Sequence, residues 1–109
     1  MSAITTHVLD TVPGKPATGV AVQLEKHTAA GWVTAGQGVT DSDGRCRDLC
    51  HDGSAGEYRL TFAVGAYFAA QERVSIYGEV SFVVSVVDGS HYHLPLLLSD
   101  HSFTTYRGS

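Results

Sequence analysis

Alternation of apolar and polar side chains is the feature that most constrains how this chain can fold. The pattern runs through residues 57–64 and recurs in residues 19–26 and 80–86. A period of two residues is typical of a strand with one buried face and one exposed face. The residues predicted to face the core are Val20, Val22, Leu24, Tyr58, Leu60, Phe62, Val64, Val80, Phe82, Val84 and Val86.

Segments with the composition of turns separate these runs. They lie at residues 12–16, 41–44, 52–56 and 88–90, and each contains glycine. The last of them, Asp88-Gly89-Ser90, predicts a hairpin that joins the strands on either side. Residues 66–73 alone have a helical pattern, which predicts a helix of about two turns. About eight short strands with regular turns indicate an all-β sandwich, and a chain of 109 residues predicts a single domain over residues 1–109.

Composition and charge restrict the classes of partner. The chain is 43% hydrophobic and 17% charged with a net charge of −4, and it has no cluster of Lys and Arg. We therefore expect no nucleic-acid partner, because binding to a phosphate backbone needs clustered cations. No apolar run approaches the length of a membrane span, and the N-terminal residues do not resemble a signal peptide. These observations predict a cytoplasmic protein without a membrane partner.

Cys46 and Cys50 lie in one short segment that ends at His51. A metal site of these three residues is one interpretation, but a structural zinc site usually needs four ligands, and no second Cys/His pair has suitable spacing. A disulfide would require a tight turn and an oxidising compartment. Two unpaired thiols are the favoured interpretation.

Three of the six histidines, His7, His91 and His93, lie on predicted strands at positions opposite the apolar face. His7 shares a face with Thr5 and Leu9, and His93 shares a face with His91. If the apolar faces enter the core, His7 and His93 project from the outer face of a sheet. A lone histidine on a strand is more often solvated or hydrogen-bonded than catalytic, so spacing alone leaves both interpretations open.

Other residues have a default explanation without function. His27, His51 and His101 are expected at the surface, in loops or at strand ends, and Arg45 beside Gly44 is by default a solvated cation. The tail Tyr106-Arg107-Gly108-Ser109 is by default a frayed terminus. No Gly-rich phosphate loop, G-x-S-x-G elbow or H-E-x-x-H pair is present. From the residues alone, the prediction is a β-sandwich with an unexplained set of His, Arg and polar terminal residues.

Several segments resemble the 5-hydroxyisourate hydrolases, the enzyme branch of the transthyretin-like family. The resemblance runs from residue 5 to the end of the chain, and the terminal four residues are the motif that separates the hydrolases from the hormone-carrying transthyretins. The segments that carry it are Thr6-His7-Val8-Leu9-Asp10-Thr11, Gly14-Lys15-Pro16-Ala17, Thr40-Asp41-Ser42-Asp43-Gly44-Arg45, Tyr58-Arg59-Leu60-Thr61-Phe62, Gly65-Ala66-Tyr67-Phe68, His91-Tyr92-His93-Leu94-Pro95-Leu96-Leu97-Leu98-Ser99 and Thr105-Tyr106-Arg107-Gly108-Ser109.

The resemblance implies a prealbumin-like sandwich of two four-stranded sheets with one short helix. It also implies a homotetramer whose active sites lie in a channel at the dimer–dimer interface. The first strand, the strand of residues 91–98 and the terminal strand would line that channel. His7 and His93 would then face outward from one subunit because a neighbouring subunit completes the site.

The implied reaction is hydrolysis of the cyclic amide of 5-hydroxyisourate, without a metal or other cofactor. The implied catalytic set is His7, Arg45, His93 and Ser109, with His93 favoured over His7 as the base that activates water. Substrate binding is implied for His7, Arg45, Tyr106 and Arg107, in which the guanidinium groups would hold the oxygens of the ring. A His-rich channel could also bind zinc adventitiously.

Two other functions for a similar fold stay open. One is a carrier whose channel holds an apolar, hormone-like ligand; His7, Arg45 and His93 argue against it because they make the channel polar and cationic. The other is an interaction module appended to secreted enzymes, which the length of the chain and its N-terminal sequence disfavour.

Overall fold

A computed structural model describes residues 3–47, 49–50, 53–87 and 90–108. In those ranges the chain forms two four-stranded sheets and one short helix, which confirms the predicted all-β sandwich. The elements are β1 (Ile4–Asp10), β2 (Lys15–Pro16), β3 (Ala21–Thr28), β4 (Gly31–Val39), β5 (Gly56–Phe62), α1 (Val64–Ala70), β6 (Val80–Val86), β7 (Tyr92–Leu98) and β8 (Phe103–Thr105).

The two sheets have the strand orders β2-β1-β7-β8 and β4-β3-β5-β6. In the first sheet β1 and β7 are parallel, and every other neighbouring pair in the two sheets is antiparallel. A parallel neighbour requires a long crossover rather than a tight hairpin. Here the intervening chain forms β2, the whole second sheet and the helix, so the first strand and the last but one meet in the centre of the first sheet.

The core lies between the sheets and is filled by the faces that the alternation predicts. Tyr58, Leu60 and Phe62 are fully buried, as are Val20 and Leu24. Val80 and Val86 are also buried, whereas Phe82 and Val84 between them are only partly covered because β6 is an edge strand. The predicted inward faces are thus confirmed, except that Val64 is buried as the first residue of α1 and not as part of a strand.

The hairpin predicted at residues 88–90 is wrong. Asp88 and Gly89 lie outside the described residues, but the flanking strands β6 and β7 belong to different sheets. A turn composition indicates that the chain reverses direction and does not indicate whether the next strand pairs with the last one.

The helix lies over Val64–Ala70 instead of residues 66–73. It ends early because Glu72 adopts a left-handed backbone with φ of 56°, and this turns Arg73 back toward the first sheet. There the Arg73 guanidinium pairs with the fully buried carboxylate of Asp10 at 2.5 Å and with Asp100. Tyr67 on the helix also donates its hydroxyl to Asp10, at 2.7 Å.

This network acts on the pKa of Asp10 in two opposing ways. Burial raises that pKa, but the hydrogen bonds from Arg73, Tyr67 and the backbone N–H of Val12 outweigh it and hold the pKa below its usual value. The carboxylate is therefore ionised in the folded protein, and it ties the end of β1 to the residues that follow the helix.

Candidate active site

The pairing of β1 with β7 brings the two predicted histidines onto one surface. Thr5 is the register partner of His93, and His7 is the partner of Pro95. Along β1, buried residues alternate with half-exposed ones, and His7 belongs to the half-exposed set; His93 is likewise half-exposed between two buried neighbours. The predicted outward orientation of both side chains is confirmed.

A tight turn places Arg45 beside His7. The Asp41 carboxylate accepts hydrogen bonds from the backbone N–H groups of Asp43 (2.9 Å) and Arg45 (3.0 Å), and Gly44 takes a positive φ of 78°. The Gly44 carbonyl then accepts the N–H of Val8 at 2.8 Å, and Arg45 forms an isolated antiparallel bridge with His7. The turn thus places Arg45 next to β1, where its backbone pairs with that of His7.

The C-terminal tail runs along the other side of β7. The N–H of Gly108 donates to the carbonyl of His93 at 2.7 Å, and the two residues form an isolated bridge. Thr105 on β8 donates its hydroxyl to the carbonyl of Pro95 at 2.8 Å. The tail is therefore tied to β7 as far as Gly108, which excludes a frayed end there; Ser109 lies outside the described residues.

Arg45 and His93 share an open hollow of about 360 Å³ on this surface. Most of its described lining residues are polar, and they include guanidinium and imidazole groups but no carboxylate. The lining residues are Thr5, Thr6, Arg45, Cys46, Arg47, His91 and His93.

The electrostatics of the hollow favour the neutral form of His93. Burial lowers the pKa of His93, and the charge of Arg45, with His7 and His91 when they are protonated, lowers it further. Arg47 pairs with Asp41 at 3.3 Å, but among the described residues no ion pair involves Arg45. The hollow thus combines a neutral imidazole with a guanidinium that is available to an anionic or polarised oxygen.

Thr5 and His91 also line the hollow, although the sequence reasoning did not select them. The Thr5 hydroxyl lies 2.8 Å from His93 Nδ1 and 2.8 Å from His91 Nε2. A signal was present in the sequence, because each lies two residues from a selected histidine on the same strand face. Only the pairing of β1 with β7 shows that they meet.

Tyr106 and Arg107 do not line this hollow. They line a separate depression with residues of β6 and with Tyr92. The Arg107 guanidinium stacks 3.9 Å from the centre of the Tyr92 ring and donates to the His91 carbonyl at 3.3 Å. Tyr106 is exposed.

Cys46 and Cys50 are buried under the turn that carries Arg45. Burial, and then the charge of Asp41, raises the pKa of the Cys46 thiol, so it is not a reactive thiolate. No group of His, Cys, Asp and Glu in the described ranges could hold a metal ion, and His51 lies outside those ranges. Within the same ranges, no helix has the length and apolar character needed to span a bilayer.

Comparison with known families matches residues 4–108 to the family described as HIUase/transthyretin. The chain belongs to this family. The 5-hydroxyisourate hydrolase of Salmonella typhimurium is 42% identical to it over 110 residues, covering 97% of this chain and 80% of the relative. The predicted membership of the transthyretin-like family is thereby confirmed.

Solved structures of the HIUase/transthyretin family share the same architecture. Transthyretin from Sparus aurata superposes with a TM-score of 0.92 at 33% identity, covering 99% of this chain and 97% of that one. The 5-hydroxyisourate hydrolase of Klebsiella pneumoniae gives 0.86 at 36% identity, covering 97% and 98%. Because a transthyretin and a hydrolase superpose almost equally well, the backbone alone does not separate the two branches, and the side chains of the site must.

Proposed function

We propose that this chain hydrolyses 5-hydroxyisourate to 2-oxo-4-hydroxy-4-carboxy-5-ureidoimidazoline in urate breakdown. The observation that carries the proposal is the shared hollow, in which a neutral His93 lies with the guanidinium of Arg45. A base and a cation in one hollow are the two groups that attack of water on a ring amide requires. The name of the Salmonella typhimurium relative, which is 42% identical over 97% of this chain and 80% of its own length, supports the same reaction.

His93 acts as the base in this proposal. Its Nδ1 is engaged with Thr5, so Nε2 is the ring nitrogen that takes a proton from water. The water oxygen then bonds to the ring carbonyl carbon, and the carbonyl oxygen takes the negative charge. When the ring C–N bond breaks, the proton on His93 passes to the leaving nitrogen, which restores the neutral imidazole.

Arg45 stabilises the oxyanion and holds the substrate in this proposal. The backbone of Arg45 is fixed by the bridge to His7 and by the Asp41 turn, which sets where its guanidinium can reach. A cation that is already in place when charge develops stabilises the transition state more than the ground state. His7 does not line the hollow itself, and we propose that it orients the attacking water and the substrate from its position beside Arg45.

In this proposal the C-terminal tail completes the site. We assign Ser109 to the site because the preceding residue, Gly108, lies beside His93. Gly108 pairs directly with His93, which supports a Ser109 hydroxyl or terminal carboxylate acting on the substrate or on an imidazole. Substrate binding by Tyr106 and Arg107 needs a second subunit, since within one subunit both line a different depression.

A homotetramer with its sites at the dimer–dimer interface meets this need. The outer face of the first sheet carries the half-exposed apolar residues Leu9 and Leu97 beside the strands' histidines, a mixture suited to burial against another copy. We propose that residues 1–109 form one domain of this assembly, located in the cytoplasm.

A direct assay tests the proposed reaction. 5-Hydroxyisourate is generated freshly from urate with urate oxidase, and its ultraviolet absorbance is followed with and without the protein. The protein should accelerate the decay, and a rate equal to spontaneous decay would refute the proposal.

Replacement of the base tests the site. His93→Ala should lower kcat by at least about a hundredfold, in the range that general-base catalysis contributes, while the oligomeric mass by light scattering stays the same. The matched control is His27→Ala, since His27 lies on β3 of the other sheet, edge-to-face with Trp32. Equal losses in the two variants would mean that the site is assigned to the wrong surface.

A further inference from the structure

One hydroxyl lies between two imidazoles on the outer face of the first sheet. Thr5 Oγ1 is 2.8 Å from His93 Nδ1 on the neighbouring strand and 2.8 Å from His91 Nε2. Thr5 is the register partner of His93 across the parallel β1–β7 pair, so the backbone itself sets this contact. Both distances are those of ordinary hydrogen bonds.

A hydroxyl has only one proton, and this limits the combinations of tautomers. When both rings are neutral and both contacts are hydrogen bonds, Thr5 donates to one ring and accepts from the other. If it donated to His93 Nδ1, the proton of that ring would lie on Nε2, and the ring would have no lone pair for a substrate-side proton. If Thr5 instead accepts a hydrogen bond from His93 Nδ1–H, then Nε2 of His93 keeps its lone pair. The Thr5 hydroxyl then donates its own hydrogen bond to His91 Nε2.

We propose that Thr5 is a positioning residue that holds His93 in the tautomer protonated at Nδ1, with His91 Nε2 as the acceptor at the far end. This inference rests on the proposed function, because it is the role of His93 as a base that selects between the two arrangements. The chain of donors runs from His93 through Thr5 to His91. The bond that one ring nitrogen makes decides which nitrogen is left for chemistry.

The surroundings agree with this direction. Among the described residues, the charged or titratable groups that act on the pKa of His93 are Arg45, His7 and His91, and none of these three is a carboxylate that could orient the ring in place of Thr5. His91 is itself held at its backbone, where the Arg107 guanidinium donates to its carbonyl at 3.3 Å. The backbone that carries the acceptor is therefore tied to the C-terminal tail.

The tautomer of His93 can be read in the protein without substrate. In ¹⁵N-edited NMR spectra recorded above the pKa of His93, the wild type should show a protonated Nδ1 and a bare Nε2. Thr5→Val removes the hydroxyl but keeps the branched shape that a strand favours, and it should shift the population toward Nε2–H. A wild-type His93 protonated at Nε2 overturns the inference, whatever the variants do.

Kinetics supply the second readout. Thr5→Val should lower kcat about tenfold, the worth of one neutral hydrogen bond, with little change in KM. Thr5→Ser should keep both the kcat and the His93 tautomer of the wild type. His91→Ala should lower kcat less than Thr5→Val does, because His93 can still donate a hydrogen bond to Thr5. The matched control is Thr11→Val, which removes a hydroxyl that bonds to the Leu98 carbonyl at 3.1 Å and contacts neither histidine.

The two readouts separate failure of this inference from failure of the proposed function. A wild type that does not accelerate the decay of 5-hydroxyisourate refutes the function and, with it, the basis for choosing the tautomer. An active wild type whose Thr5→Val variant keeps both its rate and its tautomer refutes the role of Thr5 alone. Loss of rate in Thr5→Ser as large as in Thr5→Val would also refute it.

Discussion

Gly44 is the residue whose replacement links the stability of the fold most directly to the site. Its φ of 78° lies in the left-handed region, and a Cβ placed on it would lie 2.3 Å from the Val8 carbonyl oxygen and 3.2 Å from Cδ2 of His7. Gly44→Ala therefore forces the turn that carries Arg45 away from β1.

The expected loss of stability has two parts. A left-handed backbone at a residue with a Cβ costs about 1–2 kcal/mol. The displaced turn also stretches the 2.8 Å hydrogen bond from the Val8 N–H to the Gly44 carbonyl, which is worth about 1 kcal/mol. Gly44→Ala should thus lower the free energy of unfolding by about 2–3 kcal/mol, and more if the clash relaxes poorly.

The measurement is urea unfolding followed by the fluorescence of Trp32, the one tryptophan of the chain, at fixed protein concentration because assembly adds to apparent stability. Gly14→Ala is the matched control. Gly14 has a similar φ of 71° but nothing within 4 Å of its Cβ position, so only the backbone cost of about 1–2 kcal/mol applies.

Turnover of 5-hydroxyisourate should separate the same two variants. A displacement of the turn by about 1 Å can cost a hundredfold in rate when it moves a positioning group, so Gly44→Ala should lose activity and Gly14→Ala should keep it. Equal losses of stability and equal rates in the two variants would refute the claim that this turn places Arg45 against β1.

Two further predictions concern charge. Arg45→Ala should raise the pKa of His93, measured by NMR titration, toward the usual value of about 6.5, because the Arg45 charge is one of the causes that lower it; an unchanged pKa would contradict the shared hollow. Asp10→Asn should lower the free energy of unfolding by about 2–4 kcal/mol, since it leaves Arg73 with Asp100 as its remaining carboxylate. Because the folded-state pKa of Asp10 lies below its unfolded value, the ionised group stabilises the fold above about pH 4. That contribution is lost as the pH falls through the lowered pKa, and urea unfolding of Asp10→Asn should depend less on pH in that range.

Much of the fold could be predicted from the sequence, because the alternation of apolar and polar residues indicates which side chains of each strand are buried. Residues such as Tyr58, Leu60 and Phe62 are fully buried because their spacing puts them on one face of any strand they form. The same local rule places His7 and His93 on an outer face before any pairing is known. The helix and its early end were less predictable, since Glu72 adopts a positive φ without a glycine to signal it.

The predicted hairpin at residues 88–90 shows where local reasoning stops. Turn residues report backbone conformation within a few positions, whereas the partner of a strand depends on which apolar faces meet across the core. Here β7 does not pair with β6 but pairs in parallel with β1. The residues of a short segment do not determine this pairing.

The sequence by itself determined the strand faces, the polar turn before Arg45 and the family to which the chain belongs. The faces and the turn depend on residues that are close together in the chain, and the family is identified from whole sequence segments. Only the tertiary structure decided what meets in the hollow. Thr5 and His93 are 88 positions apart, and they face each other because β1 and β7 pair in one register. A shift of that register by a single residue would turn every side chain of β1 to the opposite face, so the site is a property of strand pairing.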